Sequence, residues 1–103
     1  MSRKKALVIL AEGAEEMETV VVVDILRRAE IDVTLASLDS DRIVCNCAYK
    51  VKVVADCTLP KVAHEVFDAV VLPGGREGRD NLEKSDLVKA ILKKHEAEGM
   101  HNM

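Results

Sequence analysis

The chain has 103 residues, 49% of them hydrophobic, and a formal net charge of −3. That length fits one small α/β-sized domain with a real core, and the interspersed acids and bases argue against nucleic acid, which asks for a basic face. One Tyr, one Phe and no Trp leave no aromatic platform on which single strands could stack.

The longest apolar run, Ala6 to Ala11, is too short for a membrane span or a signal-peptide core. The expectation is therefore a soluble protein of the cytoplasm, with nucleus and mitochondrion left open and no membrane partner. Three cysteines do not close a disulfide framework. "KALVIL", Lys5 to Leu10, reads as a strand buried on both faces because it is almost continuously aliphatic. Gly13 breaks it. "EMETVVVVDILRRAEI" follows, with Met17, Val21 and Ile25 four apart and Val22 and Leu26 likewise. Acids open this segment and Arg27-Arg28 close it, which suits the helix dipole. The four valines favour a strand, but spacing and charge polarity predict a helix.

Asp32 to Leu38 is the second strand, and Asp39 to Asp41 a turn. "RIVCNC" and "YKVKVVAD" alternate, with Tyr49, Val51 and Val53 against Lys50 and Lys52, as in a hairpin with one wet face. "TLPKVAHEVF" is short, irregular or helical. "DAVVL", Asp68 to Leu72, is the third buried strand. Beyond Pro73-Gly74-Gly75, Ser85 can cap a helix "DLVKAILKKHEAE" that Gly99 ends. Strand, helix, strand, hairpin, strand, helix is the order of a doubly wound parallel sheet. Its sites form beyond the carboxyl ends of the strands, where the Glu-rich start of the first helix and the Pro-Gly-Gly corner would face each other if their strands are neighbours.

Gly74 and Gly75 suit either an ordinary turn, the commoner fate, or an oxyanion-binding pair of bare N–H groups. Glu15 and Glu16 read as a solvated first turn. Glu18 is open between that role and an inward carboxyl that exchanges a proton with a nucleophile. Cys45 and Cys47 share one strand face and read first as buried, inert thiols. A zinc site recruiting Cys57 and His64 matches no standard spacing, so no metal is expected. His95 reads as a helix-surface residue. No GxGxxG follows the first strand and no GxxxxGK[ST] occurs, which removes dinucleotide and P-loop readings. A receiver-type phosphoacceptor Asp would stand where Pro73-Gly74-Gly75 stands.

"ALVILAEGAEEMETVVVVDILRRAEIDVTLASL" and "FDAVVLPGGREG" closely resemble the DJ-1 family of Parkinson-disease-associated protein deglycases, within the PfpI and class I glutamine amidotransferase-like superfamily. The resemblance runs from about Ala6 to about Gly99 and matches the N-terminal part of a family member. It implies a flavodoxin-like α/β sandwich with no cofactor. It also implies homodimers formed partly through the first helix, here Met17, Val20, Val21, Asp24 and Arg28, and roles in oxidative-stress protection, methylglyoxal detoxification, deglycation and chaperoning. The implied catalytic set is a cysteine on a strand-to-helix elbow, a carboxylate matched by Glu18, a glycine corner matched by Gly74 and Gly75 with the Gly75 N–H in the oxyanion hole, and a histidine. Cys47 matches a family cysteine of the hairpin, and Cys45 and Cys47 are the candidate redox thiols. Glu30 and Ser37 stand where the family commonly has Gly, Tyr49 where it commonly has Arg, and Cys45 and Cys57 look particular to this sequence.

Residues 1–103 thus read as one incomplete family domain, truncated before the nucleophile strand, with none of Cys45, Cys47 and Cys57 at a strand-to-helix elbow. On that reading the chain is catalytically inactive alone, and the third strand is an exposed apolar edge that makes a marginal, associating monomer. The alternative is a short non-catalytic isoform that dimerises with a full-length family member or senses oxidation through Cys45 or Cys47.

Overall fold

β1 (Lys5–Leu10) is the centre of the sheet and almost wholly shielded, with Leu7, Val8, Ile9 and Leu10 all fully buried. The structure is a computed structural model and describes residues 3–97 together with 101 and 102. After β1 come α1 (Glu16–Arg28), β2 (Asp32–Ser37), β3 (Val44–Asn46), β4 (Lys52–Val54), β5 (Cys57–Thr58), α2 (Leu59–Val62), β6 (Ala69–Val71), α3 (Arg76–Lys84), α4 (Asp86–Ala97) and β7 (His101–Asn102). The main sheet runs β5-β2-β1-β6-β7, and every pair in it is parallel. β3 and β4 form a separate antiparallel arm, with Cys45 opposite Val53. This is the doubly wound α/β architecture that the element order implies.

Alternation along β1 divides the core in two. Ala6, Val8 and Leu10 face α1 and the arm, meeting Val23, Cys45 and Cys47. Leu7 and Ile9 face α2, α3 and α4, meeting Leu59, Leu82, Val88 and Ile91. Each fully buried Leu or Ile contributes about 1.5–3 kcal/mol, so losing either layer would remove most of what holds a small domain.

The four valines lie in a helix despite their strand preference, because both ends of α1 are capped. Glu15 is the N-cap, its carboxylate accepting from the N–H groups of Met17 and Glu18. At the other end Glu30 N donates to Arg27 O and Ile31 N to Leu26 O, closing a Schellman motif with Ile31 and Leu26 both packed on the core. The helix stops at Arg28, short of the Ile31 that periodicity suggests.

Four expectations are corrected. "REGRDNLEK" is a helix, α3, which sequence reading left unassigned because only Gly78 and Leu82 of it are buried. The third strand is not a bare edge: β7 pairs beside β6 through Ala69–His101 and Val70–Asn102. Cys57 does sit at a strand-to-helix junction, since β5 runs directly into α2. His95 is buried, at 4% exposure, rather than on the helix surface. Gly99, the expected stop of the last helix, lies outside the described residues.

Candidate functional site

β1 and β6 are hydrogen-bonded neighbours, with Ala6 beside Ala69 and Val8 beside Val71. Their carboxyl ends therefore deliver two loops to one place, as expected for a switch point where strand order reverses. The loop after β1, Ala11 to Glu15, is tied on both sides. Gly13 N donates to Asn46 O and Ala48 N to Ala14 O on the arm side, and Glu15 N donates to Gly74 O on the β6 side, at 2.9 Å.

The glycines are set by this crowding. Gly75 has φ +101 and is the N-cap of α3, and a Cβ there would lie 2.7 Å from both Glu15 N and Gly13 O. A Cβ on Gly78 would lie 2.7 Å from Ala14 Cα. Two backbones meet here with no room for a side chain. Gly74 differs, because its neighbour is the side chain of Glu18. The Glu18 carboxylate oxygens lie 2.8 and 2.9 Å from the point a Cβ on Gly74 would occupy.

Glu18, Pro73, Gly74 and Leu72 line a cleft of about 340 Å³, with Arg79 and Leu82 of α3 on its far wall. Glu18 is exposed to that cleft. The structure thus sets Glu18 against Gly74 at the cleft, while Gly75, the third residue that the resemblance marks, packs against the backbone of residues 13–15. A carboxylate so placed can relay a proton, and bare backbone beside it can present N–H groups to a developing oxyanion.

Glu16 is not the solvated first-turn residue that the sequence suggests. Glu16 is buried at 7% exposure, and its carboxylate accepts from Tyr49 N at 2.9 Å and Val51 N at 3.2 Å. Burial alone would raise its pKa, but its own N–H together with those of Val51 and Tyr49 holds it below the usual carboxylate value. Glu12 was not singled out at all. It accepts from Asn46 N and Nδ2, which lowers its pKa, and its carbonyl accepts from Asn81 Nδ2 of α3. Glu12 fastens the arm to the loop after β1, and Glu16 fastens it to the start of α1. Their only sequence signal is the density of acids between Glu12 and Glu18.

The cysteines stand away from the cleft. Cys45 and Cys47 lie in the core layer under α1, with Cys45 Sγ 3.4 Å from Ser37 Oγ. Burial raises both thiols, Cys47 to about 11 with help from the Glu16 carboxylate. Cys57 packs in the opposite layer, at the far edge of the sheet, and is raised as well. Among the described residues, no three His, Cys, Asp or Glu side chains gather as a metal would require.

The expected dimer residues share the outer face of α1. Met17 is 72% exposed and Val20 and Val21 are each 52% exposed, while Asp24 and Arg28 form an i,i+4 ion pair at 2.8 Å.

The DJ-1/PfpI family model matches residues 4–101. The Danio rerio Parkinson disease protein 7 homolog is 49% identical over an aligned stretch of 98 residues, with 93% of this chain and 51% of that protein covered. The Caenorhabditis elegans glutathione-independent glyoxalase DJR-1.2 is 32% identical over 89% of this chain and 48% of its own length. The crystal structure of Drosophila melanogaster DJ-1beta superposes with a TM-score of 0.95 at 44% identity, covering 98% of this chain and 54% of that one. The flavodoxin-like fold is thus shared, and the chain spans about half the length of the curated relatives it matches.

Proposed function

This chain belongs to the DJ-1/PfpI family, and we propose that it supplies the carboxylate-and-glycine wall of a DJ-1-type glyoxalase and deglycase site. Glu18 is the proton partner of a cysteine nucleophile, and the Gly74-Gly75 corner receives the oxyanion. The nucleophile is not among Cys45, Cys47 and Cys57, which lie outside the cleft with raised pKa values, so the chain by itself turns over no aldehyde. The carrying observation is the Glu18 carboxylate packed on Gly74 at the mouth of the cleft. The glyoxalase among the relatives supports the substrate class, small aldehydes such as methylglyoxal.

The test is a chimera in which this chain replaces the matching half of Drosophila DJ-1beta. The chimera is expected to consume methylglyoxal, and its Glu18→Gln variant to lose about 10²-fold in rate. Turnover by the chain alone, or an undiminished Glu18→Gln chimera, overturns the reading.

A second reading rests on Met17, Val20, Val21 and Ile25, an exposed apolar stripe along α1. It makes the chain a dimerising module for itself or for a full-length family member. Sedimentation of the chain mixed with such a member, with and without Val20→Lys, checks it, and absence of any heterodimer removes it. Burial of Cys45 and Cys47 gives the redox-sensing version no support.

A further inference from the structure

Glu15 holds the cleft together from both sides. Its N–H donates to Gly74 O at 2.9 Å. Its carboxylate forks over the first turn of α1, accepting from Met17 N at 2.9 Å and from Glu18 N at 3.3 Å. Its carbonyl accepts from both the N–H and the hydroxyl of Thr19, which is fully buried. The half-buried Glu15 thus spends its N–H, its carbonyl and both carboxylate oxygens on fixing the start of α1 against the β6 corner.

Glu15 is the N-cap of α1, and Glu18 stands three residues on, at the third helical position. A glutamate there ordinarily turns back to accept the N–H of the cap residue, closing a capping box. Here Gly74 O already takes the Glu15 N–H, and a Cβ on Gly75 would lie 2.7 Å from the same nitrogen. The return bond is not made. Among the described residues the Glu18 carboxylate accepts no hydrogen bond, and it lies against Gly74 at the cleft instead. The circuit is closed: Gly74 fixes the Glu15 backbone, the Glu15 carboxylate fixes the Glu18 backbone, and the Glu18 carboxylate comes back to Gly74.

We propose that Glu15 is the positioning residue of this site. By bonding Gly74 with its N–H and Glu18 N with its carboxylate, it withholds the capping-box partner from Glu18 and sets the Glu18 carboxylate at the glycine corner. Its consequence for catalysis rests on the reading of Glu18 as the proton partner, but the placement itself is measured without turnover. A plain cap would stabilise α1 without deciding where Glu18 points.

The test follows the nuclear Overhauser cross-peak between the Glu18 γ-protons and the Gly74 α-protons in the full chain. It should be present in the unsubstituted chain, lost in Glu15→Ala, and kept in Glu15→Asp, whose shorter carboxylate still caps the first turn. Ile31→Ala weakens α1 at its other end and should keep the cross-peak. Amide exchange at Glu15 in the unsubstituted chain needs no variant to fold, and the bond to Gly74 O should slow it at least about tenfold. A cross-peak that survives Glu15→Ala overturns the proposal. So does one lost equally in Glu15→Asp or in Ile31→Ala, and so does an unprotected Glu15 amide. Cross-peaks that behave as expected, beside a Glu18→Gln chimera of undiminished rate, leave the positioning standing and remove the catalytic reading.

Discussion

The Glu18 carboxylate rests where a side chain on Gly74 would begin, 2.8 Å from the position of its Cβ. The neighbouring Gly75 meets backbone instead, Glu15 N and Gly13 O at 2.7 Å each. Adjacent glycines in one corner thus have different reasons to be glycine, and the difference can be measured.

Gly75→Ala must hold a side chain at φ +101 against immovable backbone, and should cost about 3 kcal/mol. Gly74→Ala meets only the end of a flexible side chain, which can swing into the cleft, and should cost about 1 kcal/mol. Urea unfolding of the two variants checks the order. Equal losses would mean that Glu18 is held as rigidly as the loop.

Glu30 occupies the left-handed position of the α1 Schellman motif at φ +63. Glu30→Gly relieves that conformation and should stabilise the domain by about 1 kcal/mol. At this size that is a rise of about 4–8 °C in Tm. No rise in a thermal melt would show that the caging bonds from Glu30 N and Ile31 N already offset the strain.

The depressed pKa of Glu16 sets an acid limit on the arm. Its folded value lies below the ordinary 4.5, so its contribution is complete above pH 4.5 and is lost as pH falls through the folded value. The protection of the Tyr49 and Val51 amides, the donors to Glu16, should fall over that window relative to their intrinsic exchange rates. Glu16→Gln should remove the pH dependence and leave these amides less protected at neutral pH. A flat profile in the unsubstituted chain would refute the assignment.

Thiol labelling should follow burial. With its pKa near 11, Cys47 is ionised in only about one molecule in 10⁴ at pH 7. Iodoacetamide followed by mass spectrometry should modify half-buried Cys57 before Cys45 or Cys47. Early labelling of Cys47 would revive a redox role for the arm.

The strands around β1 and the helix α1 were legible in the sequence, because aliphatic runs and end charges are local signals that survive packing. So was the Pro-Gly-Gly corner, where only glycine tolerates the backbone that Gly75 adopts. Helix α3 was not legible. Its surface is polar almost throughout, and its close packing on Ala14, which Gly78 permits, is a tertiary contact. Position along the chain gives Glu15 and Glu16 one reading and leaves Glu18 open. Docking of α1 against the arm and the β6 corner separates them into a cap, a buried clamp on Tyr49 and Val51, and a cleft carboxylate. Residues one or two apart on a helix point in different directions, and only the assembled neighbours decide which of those directions meets backbone, which meets core and which meets water.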